Sequence, residues 1–179
     1  MAGRRAYFDR YVFLAVKRGM GFVLESLTWR ANPDWVAKIG YGREALANIN
    51  RAAIDLMRDV RQAYETERTP IVISGCIGPR GDGYDPGKVM SVEGALAYHA
   101  WQISVLREAG ADFVSAFTIN NINEALGLAR AAQTPCVISL TVETDGRLPT
   151  GDSLVEHCGA PSLTECHTRA LRYSIAPLT

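Results

Sequence analysis

The chain has 179 residues, 47% of them hydrophobic and 21% charged, a size and balance that fit one globular domain with a real core and leave little room for a second. Lys and Arg together number 19, as do Asp and Glu, so no net field draws the protein to nucleic acid or to an anionic membrane. No apolar run approaches the length that spans a bilayer, and Asp9, Arg10, Lys17 and Arg18 interrupt any secretory h-region behind the basic N-terminus, so a cytoplasmic location is expected.

Residues 5–18 set Tyr7, Phe8, Tyr11, Val12, Leu14 and Ala15 at helical spacing, with Arg4, Asp9, Arg10, Lys17 and Arg18 for the wet side. Gly19 and Gly21 stop that helix, and Phe22-Val23-Leu24 reads as a short buried strand. Trp29 to Gly42 reads as a loop with one helical turn after Pro33, and residues 43–65 as a long helix striped by Leu46, Ile49, Ala53, Leu56, Met57, Val60 and Tyr64. The β-branched run Pro70-Ile71-Val72-Ile73-Ser74 is the second strand, and a glycine-rich loop from Gly75 to Met90 follows. Ser91 offers a partial cap to a helix ending near Ala109. Residues 112–117 are the third strand, 121–132 a helix, and Pro135-Cys136-Val137-Ile138-Ser139-Leu140 the fourth strand. Of the four cysteines, Cys76 and Cys136 fall in or beside apolar runs, where a reduced thiol behaves as a small hydrophobe.

Apolar strands alternating with helices imply a parallel sheet with right-handed crossovers. An open doubly wound sheet and a segment of a (β/α)₈ barrel both fit. No strand is followed directly by a G-x-G-x-x-G turn opening a helix, which disfavours the nucleotide-binding version. Gly81-Asp82-Gly83 lies about eight residues before the next helix and lacks a P-loop Lys-Ser/Thr pair, so it reads as an ordered strand-end loop.

Four segments at the strands' C-terminal ends carry a resemblance: 24–35, 73–84, 116–120 and 139–148. The most specific are Ser74-Gly75-Cys76-Ile77-Gly78-Pro79-Arg80-Gly81 and Thr141-Val142-Glu143-Thr144-Asp145-Gly146-Arg147-Leu148. In this order and spacing, over about residues 6–154, the chain resembles the homocysteine-binding domain of the homocysteine S-methyltransferase family. The resemblance implies an α/β fold that is an incomplete TIM-type (β/α)₈ barrel of parallel strands, about helix 1 through strand 5 of a fold that takes roughly 250 residues when whole. It implies that the substrates are the thiol of homocysteine and an activated methyl donor, here unspecified, and that methionine is the product. It implies a zinc ion on three cysteines that makes the thiol a thiolate, the nucleophilic form.

This sequence departs from the family pattern in its chemistry-bearing residues. The family's Asn-Cys and Cys-Cys zinc motifs do not occur in it, nor does an Asp-Gly-Gly or Asp-Gly-Ala turn. Phe117 stands where many members carry an acid toward the substrate amine, with Thr118 and Asn120 beside it. Zinc is therefore expected in the family and not on this chain, and no catalytic residue or metal ligand is assigned. Residues 1–154 are taken as a partial barrel domain and 155–179 as a divergent C-terminal tail, non-native if a frame shift or misjoined exon supplied it. In that tail His157-Cys158 and Cys166-His167 offer zinc ligand types, but adjacent ligands do not make the usual knuckle spacing.

The resemblance and the strand ends together nominate Glu25, Thr28, Ser74, Gly75, Thr118, Asn120, Thr141 and Glu143 as substrate-binding residues on one rim. Each has a plainer reading. Glu25 pairs with Arg30, Gly75 is a simple turn, Glu143 and Asp145 form a solvated turn, His99 is structural, and Trp29, Trp35 and Trp101 are packing anchors. Two functions follow: an S-methyltransferase portion that is catalytically incomplete, or a non-catalytic half-barrel that acts as a partner chain. Either is expected to self-associate through unpaired strand edges. A different barrel enzyme sharing only the fold would not reproduce the loop sequences.

Overall fold

The computed structural model describes residues 2–133, 135–153 and 168–175, with the backbone alone for 2–4 and 168–175. In chain order the elements are α1 (Ala2–Arg18), β1 (Phe22–Glu25), α2 (Pro33–Ala37), α3 (Arg43–Tyr64), β2 (Ile71–Ile77), α4 (Val92–Glu108), β3 (Phe113–Ile119), α5 (Ile122–Ala132), β4 (Cys136–Val142) and β5 (Thr168–Ile175). Three helices start on a side chain that accepts from an otherwise orphaned backbone N–H. Asn32 accepts from Trp35 N ahead of Pro33, Ser91 from Gly94 N, and Asn121 from Glu124 N.

All strand neighbours are parallel, and the order across the sheet is β1-β2-β3-β4-β5. A doubly wound sheet reverses its strand order at a switch point. Unbroken chain order, with at least one helix between consecutive strands from β1 to β4, is instead the arrangement of a barrel segment.

The two faces of this sheet differ. Leu24, Ile71, Ile73, Val114, Ala116, Cys136, Ile138 and Leu140 are buried in one core with Ile54, Met57, Val60, Ile103, Leu106 and Leu128 from α3, α4 and α5. Their strand neighbours of opposite parity, Val23, Glu25, Val72, Ser74, Cys76, Ser115 and Val137, form the inner face. Val23 is 46% exposed and Val72 41%, whereas Leu24 and Ile73 between them are fully buried. The inner face is thus open toward the end that begins the strands.

The elements stand within a few residues of where the sequence puts them, with three differences. β2 runs through Gly75 to Ile77 instead of ending at Ser74. β3 reaches Ile119, with a register shift after Ala116 and Thr118 at φ 57°, a backbone region costly for a β-branched residue. Residues 168–175, inside the segment read as a divergent C-terminal tail, pair in parallel with β4 along its length. The His157-Cys158 and Cys166-His167 pairs, read above as poor zinc ligands, and the 154/155 boundary lie outside the described residues.

Candidate active-site mouth

The site begins with a short polar relay on the inner face. Ser74 of β2 donates its hydroxyl to Ser115 Oγ of β3 at 2.8 Å, and Ser115 donates to Glu25 Oε1 of β1 at 3.2 Å. Ser74 and Ser115 are buried and Glu25 is half-buried, so a carboxylate and two hydroxyls from three consecutive strands converge. Cys76 lies next to them on the same face. Burial, reinforced by the Glu25 charge, pushes its thiol pKa up from 9.0 to about 12, which leaves an inert thiol and no nucleophile.

Above the relay, the β1–α2 loop is stitched to the end of β2. Cys76 N donates to Ser26 Oγ at 2.9 Å and Thr28 Oγ1 donates to Cys76 O at 2.6 Å, so this connection continues the β1–β2 pairing by side chains. Gly78 N donates to Trp29 O at 3.0 Å, and Asn32 Nδ2 donates to Pro79 O at 3.3 Å. From behind, Gln102 Nε2 of α4 donates to Thr28 O and to Asn50 Oδ1, while Asn50 Nδ2 of α3 donates to Ala31 O. Buried carbonyls of an irregular segment must find donors, and these two amides supply them.

Trp29 bridges to the next strand: its Nε1 donates to Thr118 Oγ1 at 3.1 Å, and Thr118 Oγ1 donates to Phe117 O at 2.6 Å. Arg30 stacks between Trp29 and Trp35, 4.5 and 4.0 Å from the ring centroids, and approaches Asp82 at 3.8 Å. Backbone N–H groups of Tyr84 and Asp85, with help from Arg30, hold the Asp82 carboxyl below the usual range. Asn120 Nδ2 donates to Asp82 O at 2.7 Å, tying the β3 end to the same loop. Beside it opens a cleft of about 640 Å³, lined by residues that include Asp34, Trp35, Arg80, Asp82, Asn120 and Glu124. Arg80 bonds Asp34 at 2.7 Å, which holds its guanidinium charged, and lies over the Tyr98 ring.

The nominated residues do not gather into one cluster. Glu25 and Ser74 share the inner-face relay, and Thr141 lies on β4 with the inward parity of Ser139, buried. Thr118 and Asn120 meet loop residues on the rim, and Thr28 supports that loop from beneath with its hydroxyl engaged. Glu143 starts a tight turn in which its N–H donates to Arg147 O at 2.7 Å and its carbonyl accepts from Gly146 N. Gly75 is not a strand-end turn: a β-carbon there would lie 3.1 Å from Leu106 Cβ, so it faces α4 and permits close strand–helix packing. Arg30 takes Asp82, and Glu25 takes Ser115, so the expected Glu25–Arg30 pair is replaced. Sequence reasoning missed Ser115 and Glu124, and it left His99 without its partner.

The described residues do not fit the family's zinc site. Among them no three His, Cys, Asp or Glu side chains come together as a ligand group. Cys76 stands near the end of β2 and Cys136 begins β4, a placement that alone would set them at opposite ends of the sheet. The register corrects this: Gly75 pairs with Val114 and Val114 with Cys136, so Cys136 sits one residue below the level of Cys76. The two thiols cannot share an ion because they point to opposite faces of the sheet.

The chain is similar to characterised proteins over most of its described length. The homocysteine S-methyltransferase family model matches residues 15–162. The homocysteine S-methyltransferase of Escherichia coli strain K12 is 29% identical over an alignment covering 57% of this chain and 36% of that protein. Crystal structures of the Escherichia coli homocysteine methyltransferase MmuM superpose with TM-scores of 0.79 for the metallated form and 0.75 for the oxidized form. Both are 23% identical, and both alignments cover 92% of this chain. At that identity they show the fold, part of a TIM-type barrel. The chain spans about three-fifths of the solved structures' length, 61% and 60%. With the family model matching most of its residues and the barrel order in its strands, the chain belongs to the homocysteine S-methyltransferase family.

Proposed function

We propose that this chain carries the substrate-cradling part of a homocysteine S-methyltransferase, and that the 179 residues alone are catalytically incomplete. The observation that carries the reading is the relay Ser74–Ser115–Glu25 on the inner face at the strands' C-terminal halves, where barrels of this type place their sites. Glu25 supplies a negative charge for the ammonium of a thiol amino acid. Ser74, Thr118 and Asn120, with Thr141 and Glu143 by position, supply donors and acceptors around it. In the reaction the thiol gives its proton to water, its sulfur forms a bond to the donor's methyl carbon, and the leaving group keeps the electron pair of the broken bond. No step is assigned to zinc here, since the described residues do not form its ligand set.

Cytoplasmic location belongs to the same proposal; no helix among the described residues is long and apolar enough to cross a membrane. A second reading, a half-barrel that functions by pairing with another chain or copy, is favoured by the exposed Val23 and Val72. The deciding experiment assays methionine formation from homocysteine and a methyl donor, with zinc measured on the same sample. Binding of homocysteine without turnover supports the first reading. Zinc-dependent turnover above a no-protein control would refute the claim of incompleteness, and no homocysteine binding would favour the partner reading.

A further inference from the structure

Glu124 is a carboxylate almost wholly removed from water, at 3% exposure, and such a group persists only with donors to both oxygens. Its Oε1 accepts from Arg80 N at 2.7 Å and from His99 Nε2 at 2.8 Å, and its Oε2 accepts from Asn121 Nδ2 at 3.3 Å. Because the oxygen is an acceptor, the ring nitrogen facing it carries the proton. The three donors come from the loop after β2, from α4 and from the cap of α5. Asn121 Nδ2 also donates to Asn120 Oδ1 at 2.9 Å, and Asn120 returns to the loop at Asp82 O. The loop is therefore gripped at both Arg80 and Asp82 by a network whose only charged buried member is Glu124. His99 is fully buried and its Nδ1 meets no partner among the described residues, so its polar contribution is the bond to Glu124.

We propose that Glu124, held by His99, is a positioning residue: it fixes loop 78–83 over the mouth and so sets the rim that a thiol amino acid meets. The second half of this rests on the function proposed above. Neither side chain lies on the inner face; both act through the loop backbone and through Asn120.

The test is residue-resolved amide exchange on the full chain, with homocysteine titration of the same samples. Glu124→Gln loses the charge and turns an amide N–H toward Asn121 Nδ2 or toward Arg80 N. His99→Phe keeps the ring and loses the donor. Both should speed exchange at the Arg80 amide at least about tenfold, a charged hydrogen bond being worth that much, while Gly78, bonded to Trp29 O, and the core amides stay protected. His99→Gln, which can donate from nearly the Nε2 position, should restore protection at Arg80, and Glu124→Gln should weaken homocysteine binding by about tenfold. Exchange that rises equally at Arg80, Gly78 and the core, or not at all, overturns the proposal, as does unchanged homocysteine affinity in Glu124→Gln. If the unaltered chain binds no homocysteine, the functional reading fails, and the Arg80 exchange alone decides whether the loop is positioned as described.

Discussion

Gly78 lies where β2 gives way to the loop over the mouth, and a β-carbon built there would sit 2.5 Å from Trp29 O and 2.8 Å from Trp29 Nε1. The nearer atom is backbone and also accepts the Gly78 N–H, so relief requires moving the β1–α2 loop. Gly78→Ala should cost about 1–3 kcal/mol, read as a lower urea midpoint at unchanged slope, and should disturb Trp29 fluorescence. Cys76 gives a pH-dependent expectation. Its folded pKa of about 12 lies above the ordinary 9.0, so the stability it contributes is complete below pH 9.0 and is lost as pH climbs toward 12. Between those limits the unaltered chain should weaken, relative to Cys76→Ala, by up to about 1.4 kcal/mol per pH unit. Parallel pH profiles of the two proteins would reject the buried-thiol account.

At the scale of elements, the α4–α5 contact is set by one residue. A β-carbon at Gly127 would lie 2.5 Å from Ala95 Cβ and 2.7 Å from both Leu96 N and Val92 O. Gly→Ala inside a helix normally gains up to about 1 kcal/mol, but here the added methyl meets helix backbone. Gly127→Ala should therefore destabilise by about 1–3 kcal/mol in thermal or urea unfolding, and a neutral or stabilising result would mean the helices can slide apart freely. This contact also explains what sequence reading could and could not reach. The strands were legible because β-branched runs such as Ile71-Val72-Ile73 are bounded by Pro and Gly, and the rim positions Thr118 and Asn120 followed from them. Gly75 read as a terminator because a glycine's reason for being in a strand lies in the facing Leu106, which is remote in sequence. The His99–Glu124 pair spans 25 residues and lies across the close α4–α5 approach that Gly127 permits. Its local trace was Asn121 followed three residues later by Glu124, a helix-start signature. For β5 the alternation Leu171-Arg172-Tyr173-Ser174-Ile175 was present, but a single period-2 stretch says nothing about which sheet it joins.

At the scale of the whole molecule, the sheet ends on one side at β1, whose outer edge has no strand partner among the described residues. Beside that edge the inner face presents Val23 and Val72, 46% and 41% exposed and paired in register. On α1, Tyr7, Tyr11 and Leu14 are each at least half exposed, spaced by four and three residues so that they share a face. A strand edge next to uncovered apolar side chains is a template for pairing. The 179-residue chain should therefore associate in a concentration-dependent way in sedimentation velocity. Val23→Lys with Val72→Lys places charges at the exposed inner-face positions, where Leu24 and Ile73 still fill the opposite, helix-covered core. The double variant should thus shift the protein toward monomer while its unfolding midpoint stays within about 1 kcal/mol of the parent. If the parent is already monomeric at high concentration, the open edge is not sticky. If the variant unfolds instead, these valines are packed in a way their exposure does not reveal. Edge and inner face can be separated by a further substitution, Val23→Pro: it removes the β1 N–H at that position, which blocks edge pairing wherever that N–H points outward, yet leaves Val72 in place. Association that survives Val23→Pro but not the double lysine variant would assign it to the inner face, the surface that a completed barrel would enclose.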